Sequence, residues 1–136
     1  MNIQDKKLEV SYLSLVLLRV MLSFIFIVAS INHLFNTEKT VHKLEVATMG
    51  FLGKLLGPPE LAIILSGIVM LMAGFSLLIG FKTRFAAILL ITLLIPITVT
   101  VQVGQTATLG PLFKNVAILG GLLFFSINSN LKNQKQ

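Results

Sequence analysis

Long apolar runs separated by short polar segments dominate the chain. A helix needs about 20 mostly apolar residues to cross the hydrocarbon core of a bilayer. Four runs come close to that length, and only the last of them is short. We therefore expect four membrane-spanning helices, at about residues 12–35, 60–79, 84–103 and 112–127. They predict an all-α fold, an integral membrane four-helix bundle formed as a single domain over residues 1–136.

Proline and glycine mark the expected ends and irregularities of these spans. Gly110 and Pro111 predict the start of the fourth span, because proline fits the first turn of a helix. Pro96 lies inside the third span, where its ring removes a backbone hydrogen bond and favours a kink. Small residues recur along the second and fourth spans and predict close helix contacts in lipid. They are Ala62, Ser66, Gly67, Ala73, Gly74, Ala117, Gly120 and Gly121.

The segment between the first two spans, residues 36–59, carries helix-start and helix-end signals that a plain linker would not have. Asn36 and Thr37 are candidate N-caps, and residues 57–59 (Gly-Pro-Pro) end any helix. Between them five apolar residues fall near one helical face: Leu44, Ala47, Phe51, Leu52 and Leu55. This pattern favours an amphipathic helix on the outer face of the membrane. A loop folded over the helix ends explains it equally well, and both alternatives place the segment as a cap on the bundle.

Composition supports the membrane assignment and excludes several function classes. Hydrophobic residues make up 55% of the chain and charged residues 12%, about half the charged fraction of a soluble domain. The net charge of +6 comes without a basic stripe interleaved with aromatic residues, so we expect no nucleic-acid partner. The chain contains no cysteine and therefore performs no thiol exchange of its own.

Basic residues at the span ends predict the orientation. The N-terminus, the loop between spans two and three, and the C-terminus share one side with six lysines and arginines, against four on the other. The other side also carries Glu38, Glu45 and Glu60. We therefore expect a multi-pass protein of a bacterial-type inner membrane, with both termini in the cytoplasm.

Arg19 is a cation within the first apolar run. Its guanidinium stays protonated in any protein environment. Either it extends to lipid phosphates at the cytoplasmic face, or it meets a ligand carbonyl or anion inside the bundle. Both alternatives stay open at the level of sequence.

Six polar residues cluster near the outer ends of the spans. Amide, imidazole, carboxylate and ammonium groups there can orient a polar head group above a lipid-facing groove. A quinone ring, with carbonyl acceptors and an apolar tail, matches such a site; contact with interfacial water is the simpler explanation for each residue alone. The candidate binding residues are Asn32, His33, Glu60, Gln102, Lys114 and Asn115, together with Arg19.

Catalytic and metal-binding patterns are not recognisable in the sequence. It lacks a carboxylate pair, a nucleophile–base set, a phosphate-binding loop and metal-ligand spacing. With only two histidines, a haem site is not expected. We therefore name no catalytic residue and no metal ligand, and leave open whether the protein is an enzyme.

Several motifs together resemble the DoxX family of small four-helix membrane proteins. They are "LLRVMLSFIFIVASINHLF", "GFLGKLLGPPELA", "GFSLLIGFKTRFAAILL" and "FKNVAILGGLLF", which span residues 17–125. The family takes its name from a subunit of a thiosulfate:quinone oxidoreductase, and some members associate with membrane redox complexes. The resemblance implies the four-helix fold, a quinone ligand, and a membrane or soluble oxidoreductase as partner.

The chain departs from the family pattern at two positions. Members typically have a lysine near the end of the first span, where this chain has His33, and often a glutamate in the second span, where it has Met70. At 1.5 Å per residue, Arg19 lies about 10 Å inside its span, at the depth of residues 70–73. Without the acid, the remaining candidate partners of Arg19 are Thr92, Ser66, Ser76 and carbonyls freed by Pro96.

Three function classes therefore survive. The first is a redox-associated or quinone-interacting membrane subunit without its own catalytic machinery, which the resemblance favours. The second is a non-enzymatic assembly or scaffold protein. The third is a small transporter or binder of lipid-like ligands, which an unpaired Arg19 favours.

Overall fold

The computed structural model describes residues 10–55, 57–104 and 106–128, and within these ranges the chain is all-α. The helices are α1 (Tyr12–Phe35), α2 (Thr37–Val46), α3 (Phe51–Lys54), α4 (Pro59–Ile79), α5 (Thr83–Gln102) and α6 (Leu109–Ile127), with a short 3-10 helix (Thr106–Thr108) before α6. The four long helices α1, α4, α5 and α6 are apolar and long enough to cross a membrane. The predicted all-α membrane bundle is confirmed.

The predicted span boundaries agree with the helices to within three residues. Helix α1 has the bounds predicted for the first span, and α4 and α5 each begin one residue earlier than predicted. Helix α6, which corresponds to the fourth predicted span, begins at Leu109, so Gly110 and Pro111 lie inside its first turn rather than before it. Proline is tolerated there because the first amides of a helix have no intrahelical acceptor to lose.

The capping segment forms two short helices, and the prediction of one continuous apolar face is wrong. Leu44 and Ala47 are buried, whereas Phe51 and Leu55 are exposed, because the chain turns between α2 and α3. Asn36 occupies the N-cap position of α2 without a side-chain cap bond. The segment lies against α1, α4 and α5 and caps one end of the bundle.

Small residues bring the long helices together at specific places. The most extensive packing joins α1 to α4 and α5 to α6. A Cβ atom at Gly74 would lie 3.2 Å from Ile27 of α1, and one at Gly121 would lie 3.0 Å from Leu22. Gly120, by contrast, faces open space. The predicted small-residue contacts therefore hold for these two glycines, while the prediction for Gly120 is wrong.

A buried apolar core separates the two ends of the bundle. Phe26, Leu77, Leu90 and Leu122 are among its most buried side chains. Many large apolar residues face outward instead, as expected where the surrounding solvent is lipid. We call the end that holds the first turn of α1, residues 80–82 and the last turn of α6 the terminal end. The opposite end, covered by α2 and α3, is the cap end.

Candidate functional site

A cavity of about 880 Å³ opens at the cap end and is here called the cap cavity. Its walls come from α1, α2, α4 and α5, with single residues from α3 and α6. The apolar part of the wall includes Ala29, Leu65, Val69, Leu93 and Ile97. The volume falls in the range of ordinary small-molecule sites, which is about 300–1,000 Å³.

Four of the six polar residues chosen from the sequence line the cap cavity together. Asn32 and His33 come from the last turns of α1, Gln102 ends α5, and Lys114 lies in the second turn of α6. The end of α1, the end of α5 and the start of α6 are distant in sequence. They share a cavity because the antiparallel helices bring them all to the cap end.

Glu60 and Asn115 lie outside the cavity lining. Glu60 is exposed in the first turn of α4, and in the described parts of the chain no ion pair joins it to Lys114. Asn115 is buried and its Nδ2 donates to Thr98 Oγ1 over 2.9 Å. The Thr98 hydroxyl in turn donates to the Leu94 carbonyl over 2.7 Å. Asn115 therefore links α6 to α5 through a buried hydrogen bond.

His33 contacts a serine of α4 within the cavity lining. Its Nδ1 lies 3.4 Å from Ser66 Oγ, whose hydroxyl already donates to the Ile63 carbonyl over 2.8 Å. In the tautomer that carries its proton on Nδ1, His33 donates to Ser66 Oγ and leaves Nε2 as an acceptor. Gly67 permits this approach, because a Cβ atom there would lie 3.1 Å from His33 Cβ.

One side-chain acceptor near the cavity lacks a protein donor, and a proline interrupts the hydrogen bonds of α5. Gln102 Oε1 is buried and has no hydrogen-bond partner. Pro96, inside α5, has no N–H to offer the Thr92 carbonyl, and both residues line the cavity. The lining therefore combines amide and hydroxyl groups with the Lys114 ammonium, and a head group with carbonyl or hydroxyl groups can match both.

Two further lysines from the capping segment line the cavity, and the sequence analysis missed them. Lys39 and Lys43 are four residues apart on α2 and project from one face. The acidic residues of α2, Glu38 and Glu45, are not part of the lining. The i, i+4 lysine spacing was the sequence pattern that could have identified this basic face.

Arg19 lies at the opposite end, and its predicted depth beside residues 70–73 is wrong. A Cβ atom at Gly80 would lie 2.8 Å from Arg19 Cζ, so the guanidinium packs on the glycine that ends α4. Gly67 of α4 packs against His33 of α1, and Gly74 packs against Ile27. Continued along this antiparallel pair, the register places the backbone of Arg19 beside the end of α4, because α1 begins beyond that end.

The hydroxyls proposed from the sequence as partners of Arg19 form no hydrogen bond with it in the described part of the chain. Thr92 donates to the Ile88 carbonyl over 2.9 Å and lines the cap cavity, and Ser66 lies there too. Ser76 is closer to Arg19 but donates to the Phe81 carbonyl over 2.6 Å. Arg19 Nε is buried without a hydrogen-bond partner.

The described ranges contain no recognisable metal-binding site. They contain no group of three or more histidine, cysteine, aspartate or glutamate side chains placed to hold an ion. What the cap cavity offers is hydrogen bonding, positive charge and an apolar wall.

Comparison with known proteins agrees with the fold. The model of the DoxX family matches residues 14–103, about two thirds of the chain. Searches of curated proteins and of solved structures returned no match. The matched range contains Arg19, the capping segment and the α4–α5 turn. With its four apolar helices, the chain is a multi-pass membrane protein of the DoxX family.

Proposed function

We propose that the protein is an accessory membrane subunit that holds a quinone, or a similar lipid-like ligand with a carbonyl head group, in the cap cavity. The observation that carries the proposal is the meeting of Asn32, His33, Gln102 and Lys114 in one cavity with an apolar wall. A quinone combines the same two properties, because its ring carries polar oxygens and its tail is hydrocarbon.

The polar groups suit both redox forms of such a ring. Lys114 and the Asn32 amide can donate to a quinone carbonyl. The hydroxyls of Thr40 and Thr100, which also line the cavity, can accept from a quinol hydroxyl.

The charge of the cavity favours an electron-rich head group. Lys39, Lys43 and Lys114 line it, and no carboxylate is part of its described lining. Positive charge near the oxygens stabilises the anionic semiquinone and quinolate forms of a ring, so this arrangement supports a redox ligand over an aliphatic one.

Any electron transfer would depend on a partner protein. The chain has no cysteine, and the described side chains include no metal-ligand group. A membrane-bound or soluble oxidoreductase would supply the electron donor, and this chain would position the quinone.

We further propose that the terminal end faces the cytoplasm of a bacterial-type cell. The two termini and the α4–α5 turn together carry six lysines and arginines, against four in the segments of the cap end. The positive-inside rule favours this orientation.

The experiment is equilibrium binding of a short-chain quinone to the purified protein in mild detergent. Replacing His33 with leucine or Lys114 with glutamine should each weaken binding about tenfold, the effect expected for one lost hydrogen bond to a charged or oriented group. Arg84→Gln, at the terminal end, is the matched control and should bind as the unaltered protein does.

Two results would contradict the proposal. One is equal binding by all variants, and the other is no saturable binding by a protein whose thermal unfolding is normal. The second result would favour a scaffold role, because the bundle would then fold without recognising a ligand.

A further inference from the structure

A second cavity, of about 700 Å³, opens at the terminal end and is here called the terminal cavity. Its polar lining includes Tyr12, Arg19, Lys82 and Arg84, and its apolar lining includes Val16 and Phe85. The buried apolar core lies between this cavity and the cap cavity. The two are therefore separate sites.

The guanidinium of Arg19 is held against the terminal cavity with part of its hydrogen-bonding capacity unused. Arg19 is half-buried, and its Nε has no partner. Gly80 ends α4 with a φ of 78°, a conformation that favours glycine. Its missing side chain also leaves room for the guanidinium, which a Cβ atom would meet. No carboxylate lies beside this guanidinium in the described lining, so an anionic acceptor in the cavity would be its first charged partner.

The first turn of α5 forms another wall of the terminal cavity. Lys82 occupies the N-cap position in a left-handed conformation, with φ 42°, and no side chain caps the helix. The first backbone amides of α5 therefore have neither an intrahelical acceptor nor a side-chain cap. Such a helix start attracts phosphate groups through its N–H groups and its dipole.

The charged side chains in the described lining of the terminal cavity are all positive. Arg19, Lys82 and Arg84 line it together, and no carboxylate is part of its described lining. Tyr12, which is exposed at the rim, adds a hydroxyl donor. Arginine pairs with phosphate through two parallel N–H donors, so these groups match a phosphate better than a carbonyl.

The position of the terminal cavity distinguishes a lipid phosphate from a free anion. It lies where α1 and α5 begin, at the depth at which lipid head groups meet the ends of the spans. Its apolar side includes Phe85 and Ile88, which are exposed on the outer surface of the bundle and can follow an acyl chain. We propose that the terminal cavity binds the phosphate of an anionic phospholipid, with Arg19, Arg84 and the α5 N-terminus as its ligands.

The test is lipid add-back to the delipidated full chain, measured by native mass spectrometry in mild detergent. Phosphatidylglycerol should bind as one tight copy, and phosphatidylcholine, whose head group carries a compensating positive charge, should bind at least tenfold more weakly. Arg19→Gln and Arg84→Gln should each weaken phosphatidylglycerol binding about tenfold. The matched control is Lys114→Gln, which removes a cation of the cap cavity and should leave binding unchanged.

Each alternative result overturns a definite part of the proposal. Equal binding of the two lipids would show that anionic charge is not recognised. A loss in Lys114→Gln as large as that in Arg19→Gln would show that the effect is one of overall charge. Displacement of the lipid by a few millimolar inorganic phosphate would identify a free-anion site. Should Arg19→Gln not fold, Arg84→Gln on the exposed first turn of α5 decides the question.

Discussion

Replacing Met70 with glutamate tests where Arg19 lies. Met70 is 3% exposed and packs in the apolar core, whereas the Arg19 guanidinium lies against Gly80. Ten residues of helix, at 1.5 Å each, separate the two positions by about 15 Å along α4. A glutamate at position 70 would therefore be buried without contact to the arginine.

The expected change in the free energy of unfolding follows from the cost of burying the glutamate charge and from its attraction to Arg19. A charged side chain at the centre of a membrane helix costs about 2.5–3.5 kcal/mol on insertion scales. Attraction between unit charges about 15 Å apart is worth about 1 kcal/mol at an effective dielectric constant of 20. We expect Met70→Glu to lower the free energy of unfolding by about 2 kcal/mol, and Met70→Leu to change it by less than about 1.5 kcal/mol.

The assay is detergent-induced unfolding of the purified variants, arranged as a double-mutant cycle of Met70→Glu with Arg19→Gln. The coupling energy between these two substitutions should stay near or below about 1 kcal/mol, as for residues that do not touch. Met70→Gln controls for the polar group without the charge. Greater stability of Met70→Glu than of Met70→Gln, abolished by Arg19→Gln, would refute the placement of Arg19 at Gly80.

Three further predictions concern packing and topology. Gly121→Leu should destabilise the bundle by about 1–3 kcal/mol in the same unfolding assay, because a leucine of α1 lies 3.0 Å from the added Cβ; Gly120→Leu, with open space around it, should be neutral, and equal effects would contradict the packing. Asn115→Leu should cost about 0.6–1.7 kcal/mol of stability, the value of a buried hydrogen bond between membrane helices, and leave quinone binding unchanged; lost binding in a stable variant would place Asn115 in the ligand site. In intact cells an impermeant thiol reagent should label Lys43→Cys and not Lys82→Cys, and the reverse pattern would invert the orientation.

The spans were predictable because their bounds depend only on the order of residues along the chain. Run length and the positions of proline and glycine give the ends of α1, α4 and α5 to within one residue. The capping segment was harder, since the turn between α2 and α3 moves Phe51 to the outside while Leu44 stays buried. Hydrophobic periodicity does not show that a helix is interrupted.

The candidate site was predictable in part for the same reason. Depth along a span can be counted, and it brought Asn32, His33, Gln102 and Lys114 to one end. Which side of a helix faces a cavity depends on three-dimensional packing, so Asn115, directed at Thr98, could not be separated from its neighbour Lys114. The Arg19 prediction counted depth from the start of α1 and took α1 and α4 to end at the same level, whereas α1 begins beyond the end of α4.

The location of a bound quinone is the most direct test of the proposed function. A photoreactive quinone analogue would be cross-linked to the protein in a bilayer, and the modified peptides identified by mass spectrometry. We expect labels on the cap-cavity segments, within residues 29–44, 62–69 and 92–102, that excess unlabelled quinone removes. Labelling confined to residues 12–19 and 82–88 at the terminal end, or labelling that competition does not reduce, would contradict a quinone site in the cap cavity.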